Sequence, residues 1–324
     1  MTSAGAPPGD SGDDRSGTVT GHGGIVVTDV HRAFGEVRAV DGVDLVARPG
    51  AVTALVGPNG SGKTTLLLVL AGLLVPDTGS VRIAGYDPVT ENYAARARTG
   101  WMPDTFGTWD SLTSREVLTT VAAAYRLPRE LGVQRAAELL ELVHLTEYAD
   151  TPAHVLSRGQ KQRLGLARAL VHDPDVLLLD EPASGLDPRS RVDLRGLLRR
   201  LAAEGKTVLV SSHVLAELDE MADDAVFLSR GRTVASESVE SASAARRTWR
   251  VRALDPEPLA AWLTAAGVPF TVEEDGAALL SLDGDPSAAA LLRDAVGAGV
   301  PIASIAPSSG ALEQAYLALE EERR

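Results

Sequence analysis

The sequence predicts an α/β protein in which a mostly parallel, helix-flanked sheet precedes a smaller α+β unit. Three observations carry this. Short continuous apolar runs such as VLLLD (176–180) and TVLVSS (207–212) alternate with helical patterns, as expected of strands buried on both faces. A Gly-rich turn joins the buried run AVTALV (51–56) to the helical pattern that follows it. Beyond residue 248 the order of elements reads βαββαβ, the split ferredoxin-like arrangement.

Taken in chain order, residues 1–24 contain seven Gly and few large apolar side chains, and predict a disordered N-terminal arm rather than a signal peptide. IVVTDV (25–30), VRAVDGVDLVA (37–47) and AVTALV predict strands. Helical periodicity covers roughly 63–74, 112–125, 133–145, 157–171, 188–204 and 214–222. This first unit is assigned to 25–235 and followed by a small, polar linker, SESVESASAARR (236–247). The second unit, 248–324, runs WRVRA strand, PLAAWLTAAG helix, VPFTVEE strand, AALLSLD strand, SAAALLRDAVGAG helix and VPIASI strand. An amphipathic helix, ALEQAYLALEEE, follows.

Composition narrows the function. The 324 residues are 44% hydrophobic, enough for a substantial core, and carry a formal net charge of −13. A dedicated nucleic-acid binder is expected to show a basic face, so nucleic acid is not an expected partner. With no cysteine there is neither a disulfide framework nor thiolate chemistry. The longest apolar run, LLLVLAGLLV (66–75), is ten residues. A bilayer crossing needs about 18, so the sequence predicts a soluble protein that docks on membrane-embedded partners if on any. Lysine occurs only at Lys63, Lys161 and Lys206 among 31 basic residues, which marks places where a compact ammonium is needed.

One of those lysines sits in GPNGSGKTT, residues 57–65. The segment fits G-x-x-x-x-G-K-[ST] between a buried strand and a helix, the context this phosphate-binding motif requires. Gly57, Gly60 and Gly62, in a loop that also holds Pro58, let the backbone approach an anion, so that the N–H groups of Asn59, Ser61 and their neighbours turn toward it. The helix N-terminus adds positive potential. Lys63 is placed to reach the β- and γ-phosphates, the Thr64 hydroxyl to ligate Mg²⁺, and Thr65 closes the motif. Downstream, VLLLDEP (176–182) puts Asp180 and Glu181 at a strand end, expected to lie next to the end of the loop's own strand. One carboxylate there can hold Mg²⁺ through water while the next activates the attacking water.

LSRGQKQRLGLARAL (156–170), VLLLDEP, SGLDP (184–188) and VSSHV (210–214) then follow in order. Over about 25–235 the chain resembles the ATP-binding subunit of an ABC transporter, of the bacterial exporter type. The resemblance implies a P-loop NTPase ABC ATPase core, a mixed sheet with a helical subdomain at about 105–172, plus a small C-terminal ferredoxin-like accessory domain. It also implies ATP and Mg²⁺ as ligands. Gly57–Thr65 would be the Walker A loop and Asp180–Glu181 the Walker B pair, with Glu181 as general base. Phe34, in HRAFGEV, matches the aromatic that stacks on adenine; its plain alternative is a core residue. Ser157, Arg158, Gly159 and Gln160 match the signature, Asp187 the D-loop aspartate and His213 the switch histidine; for the other five histidines the surface or core reading is preferred.

Two such subunits are expected to pair head to tail as a homodimer around two ATPs, each nucleotide on one subunit's loop and under the other's signature helix. Ser157 stands where an N-cap belongs, so helix 158–171 would present free N–H groups to the γ-phosphate. Two positions depart from the family pattern. Asp104, in GWMPDTF, replaces the usual Gln of the Q-loop; it either ligates Mg²⁺ through an inward loop movement or acts through water. Arg158 replaces a Gly, and its side chain is either steered away from nucleotide or adds a phosphate contact.

The resemblance implies an ATPase at the cytoplasmic face of the membrane that energises a separate transmembrane permease, with export favoured over import. The competing readings are a soluble ABC ATPase acting on ribosomes or DNA, and a regulatory module whose accessory domain binds a small ligand. One ATPase module, and only about a hundred residues between Walker A and signature, argue against the ribosomal and chromosomal types.

Overall fold

The computed structural model describes residues 23–105, 107, 111–244 and 246–321. The chain opens with strands β1 (Ile25–Phe34), β2 (Val37–Ala47) and β3 (Val52–Val56), then helix α1 (Lys63–Leu70), β4 (Thr78–Ile83), α2 (Asn92–Ala97) and β5 (Thr99–Met102). Three helices follow: α3 (Ser114–Ala124), α4 (Arg129–Leu142) and α5 (Arg158–Ala169). The chain then alternates through β6 (Val176–Asp180), α6 (Pro188–Ala203), β7 (Thr207–Ser212), α7 (Leu215–Asp219), β8 (Asp224–Ser229) and β9 (Arg232–Ser238). The C-terminal part comprises α8 (Val239–Ala244), β10 (Arg246–Ala253), α9 (Pro256–Ala265), β11 (Phe270–Val272), β12 (Ala278–Asp283), α10 (Gly284–Gly297), β13 (Ile302–Pro307) and α11 (Ala311–Glu321).

The central sheet has six strands in the order β5-β6-β7-β3-β8-β9. All pairings are parallel except that of β9, which folds back on β8. Alternate residues of β6 feed two cores: Leu177 and Leu179 face α3–α5, while Val176 and Leu178 face α1 and the antiparallel sheet β2-β1-β4. All four are fully buried, so the apolar run does mark a strand covered on both sides. The sheet β11-β12-β10-β13 is antiparallel throughout and encloses its own core around Val251, Leu263, Leu280 and Ala295. With α9 and α10 between strands, this is the split βαββαβ order.

The structure corrects several expectations. β6 does not adjoin β3; β7 lies between them, which places the His213 strand in the gap and makes Ser211 the neighbour of Asp180. The stretch 236–247 is not a bare linker. β9 extends to Ser238, the Ser238 hydroxyl accepts from Ser241 N at 3.1 Å, and α8 runs on to Ala244 with Ala242 buried. The last two residues of the 1–24 arm are fastened: Gly24 O accepts from Ala84 N and Gly23 O from the Thr207 hydroxyl; residues 1–22 lie outside the described residues. Finally, α11 does not belong to the ferredoxin-like unit's core. Leu312 is fully buried in the same cluster as Leu218, Met221 and Phe227, and Tyr316 stacks near Phe227 at 6.4 Å.

Candidate active site

Residues 57–62 bridge β3 and α1 in a tight loop. Gly62 has φ +102°, and a Cβ there would collide with the carbonyl of Ala39 on β2. Only glycine meets both demands. The loop is pinned from outside by Gly231, whose N–H donates to Ser61 O at 3.0 Å, and internally by Ser61 N donating to Pro58 O. Lys63 is 7% exposed and its Nζ donates to Gly57 O at 2.6 Å and Pro58 O at 3.2 Å. Burial pulls the Lys63 ammonium below the ordinary lysine range, opposed by the nearby Glu181 and Asp180 carboxylates. The ammonium is therefore held by the loop's own carbonyls, within electrostatic reach of two carboxylates at the end of another strand.

Those carboxylates end β6. Asp180 is buried; its Oδ2 accepts from the Thr64 hydroxyl at 2.9 Å and its Oδ1 from the Ser211 hydroxyl at 2.5 Å. Glu181 has φ +50°, a left-handed backbone that is unusual for a non-glycine residue. Its N–H donates to the carbonyl and hydroxyl oxygens of Ser211, and its Oε2 lies 2.9 Å from His213 Nδ1. Burial pushes the Glu181 carboxyl above the ordinary range; the hydrogen bond and charge of His213, and the Lys63 ammonium, oppose this. The end of β6 thus carries one buried carboxylate bonded at both oxygens, followed by one paired with an exposed imidazole.

At the start of α5, Ser157 and Gln160 form a reciprocal capping box: Gln160 N donates to Ser157 Oγ at 3.2 Å and Ser157 N to Gln160 Oε1 at 2.8 Å. Gly159 sits close to the Gly185 carbonyl. Arg158 turns toward its own chain, donating to the Ser184 hydroxyl at 2.6 Å and lying over Gly185. Asp187 caps α6, accepting from Ser190 N at 3.0 Å and Ser190 Oγ at 2.6 Å, which hold its carboxyl below the usual range. Phe34, at the tip of the β1–β2 hairpin, is half exposed, with the Arg32 guanidinium 4.9 Å from its ring centre. That exposure rules out the core reading of Phe34. The same hairpin packs the Ala39 carbonyl on the phosphate loop at Gly62.

The comparisons with known proteins fit this geometry. The ABC transporter family profile matches residues 40–184. The daunorubicin resistance ATP-binding protein DrrA3 of Streptomyces coeruleorubidus is 37% identical over 220 residues, 68% of this chain and 70% of that protein. The chain belongs to the ABC transporter ATP-binding family. The Nod factor export ATP-binding protein I of Ralstonia nicotianae is 37% identical over 211 residues, 65% of this chain and 66% of that protein. Among solved structures, a dimeric ATP-binding cassette in a post-hydrolysis state, bound to ADP and Pi, matches with TM-score 0.61 and 28% identity. That match covers 66% of this chain and 98% of the other.

The resemblance implies Mg²⁺ with the nucleotide, and the donor set here suits that ion. The Thr64 hydroxyl and Asp180 carboxylate meet between α1 and β6, both hard oxygen donors of the kind Mg²⁺ prefers. Asp104 is placed differently. β5 pairs Met102 with Leu179 in parallel register, so Asp104 leaves the neighbouring strand level with Glu181, exposed. Among the described residues no hydrogen bond joins it to Thr64 or Asp180. Two polar residues of this ABC cassette escaped the sequence reading. Ser211 bonds both Asp180 and Glu181, and Gln162, 5% exposed on α5, donates to Glu181 O at 2.8 Å. The signal for Gln162 was a polar side chain on the buried helical stripe it shares with Leu166 and Ala169.

Proposed function

We propose that this ATPase binds MgATP on the 57–65 loop, closes on a second copy of itself head to tail, and powers export through a separate membrane-spanning permease. The observation that carries this is the convergence of Lys63, Thr64, Asp180, Glu181 and His213 at the ends of α1, β6 and β7. Lys63 and the loop N–H groups bind the phosphates, and exchange of the Gly57 and Pro58 carbonyls for phosphate oxygens aligns the ammonium. Phe34 stacks on the adenine. Thr64 and Asp180 would hold Mg²⁺, which would neutralise phosphate charge, and Asp104 would contribute to that ion directly or through water.

Glu181 accepts a proton from water as the water oxygen bonds to the γ-phosphorus. The bond to the β–γ bridging oxygen breaks, and ADP and phosphate result. His213 holds the Glu181 carboxylate in place and contacts the γ-phosphate. Ser157, Gly159 and Gln160 present the N-terminus of α5 to the partner's nucleotide, and Asp187 shapes the segment facing the partner. Loss of the γ-phosphate removes the anion that holds the two copies together, and the opening drives the permease. No helix among the described residues is long and apolar enough to cross a membrane, which suits a peripheral subunit on the cytoplasmic face.

Affinity purification of the tagged chain from native membranes tests the reading. Copurification of an integral membrane protein, with ATPase activity in the complex, is expected. Cosedimentation with ribosomes or DNA and no membrane partner would overturn it.

A further inference from the structure

We propose that Gln162 is the positioning residue for Glu181, tying the helix that covers the partner's nucleotide to the base that acts on the chain's own. This rests on the reading of Glu181 as general base and of α5 as the covering helix. The backbone at Glu181 has φ +50°, a conformation that persists only where its surroundings hold it. Four hydrogen bonds do so. Glu181 N donates to the carbonyl and hydroxyl of Ser211, and Glu181 O accepts from Ser184 N at 3.0 Å and from Gln162 Nε2 at 2.8 Å. Three of these come from β7 or from the turn itself. The fourth comes from α5.

Gln162 stands five residues beyond the Ser157 cap, on a rigid helix, with its side chain almost wholly buried. A shift of the α5 N-terminus against a γ-phosphate is therefore carried along the helix to the Glu181 carbonyl. Rotation of that peptide turns the Cα–Cβ bond of Glu181, and so the carboxylate that lies 2.9 Å from His213. Arg158 adds a second tie of the same sense, from the first turn of α5 to Ser184. A Gln that only filled space would be replaced without kinetic effect by an apolar side chain of similar volume.

The test uses the full-length chain and steady-state ATP hydrolysis, with nucleotide affinity and melting temperature measured alongside. Gln162→Met keeps the volume and removes the donor; kcat should fall about 10–100-fold, the scale of a small misplacement at a reacting centre, while ATP affinity is unchanged. In a Glu181→Gln background it should cause no further loss. Gln162→Glu donates to the carbonyl only while protonated, so its kcat relative to the parent should rise as pH falls. That variant also serves if Gln162→Met is poorly folded. Parental kcat in Gln162→Met beside an inactive Glu181→Gln would overturn this inference alone. A loss matched by weaker ATP binding, or a flat pH ratio in Gln162→Glu, would also overturn it. Normal turnover by Glu181→Gln would remove the base assignment and this inference together.

Discussion

Arg158 Nη2 lies 2.6 Å from the hydroxyl of Ser184 in the same chain. The Arg158 side chain covers Gly185, where a Cβ would meet its Cδ at 2.7 Å, and the φ of +74° at Gly185 separately favours glycine. Arg158 thereby fastens the segment leading to Asp187 against the first turn of α5. Arg158→Ala and Ser184→Ala should be non-additive, with a coupling of about 0.5–1 kcal/mol in a double-mutant cycle read by urea unfolding. ATP affinity of the separate subunit should not change in either variant, because neither residue touches the 57–65 loop. Independent effects would return Arg158 to the role of a direct phosphate ligand.

If Glu181 is the base proposed above, its pairing with His213 should shape the pH dependence of hydrolysis. Burial raises the Glu181 pKa above its usual value of 4.5, so the carboxylate protonates, and activity falls, at a higher pH than for an exposed glutamate. His213 opposes that rise through its hydrogen bond and charge. In His213→Ala the acid limb of the kcat–pH profile should therefore move to still higher pH, besides any loss at the plateau. A limb that moved down, or did not move, would contradict the pairing.

Phe34 is 50% exposed and supports no core, so Phe34→Ala should leave the melting temperature unchanged. Loss of an aromatic stack of about 0.5–1.5 kcal/mol should weaken ATP binding several-fold. Affinity for inorganic tripolyphosphate, which has no base to stack, should be the same in both proteins.

Much of this was legible because the informative residues are close in the chain. The loop GPNGSGKTT, the buried strand VLLLD and the Ser157–Gln160 capping box each carry their geometry in a few consecutive residues. What depends on tertiary pairing was not legible. The strands β4, β5, β8 and β9 and the six-residue α2 show no strong period, and β5 is only four residues with a glycine inside it. The insertion of β7 between β6 and β3 is a property of the sheet order, and it decides that Ser211 rather than a loop residue bonds Asp180. Gln162 is marked in the sequence only as a polar side chain on the buried stripe of α5; its partner, a backbone carbonyl, has no signature there.

The C-terminal helix offers a stability test. Leu312 is fully buried against α7, and its N–H donates to Asp219 at 2.8 Å, six residues after His213. Leu312→Ala should destabilise the ATPase unit by about 2–5 kcal/mol, the usual cost of emptying a buried leucine site. Denaturant unfolding followed by a nucleotide-binding signal reads that unit directly. An effect confined to the ferredoxin-like unit would contradict the placement of α11.

The central claim is that Glu181 takes the proton from the attacking water inside a two-chain ATP sandwich. Size-exclusion chromatography of Glu181→Gln with MgATP, alongside its hydrolysis rate, tests it most directly. Hydrolysis should fall by about 10²–10⁴, the range for loss of a general base, and the variant should elute as a dimer with ATP and as a monomer with ADP. Hydrolysis at the parental rate, with no ATP-dependent dimer, would contradict it.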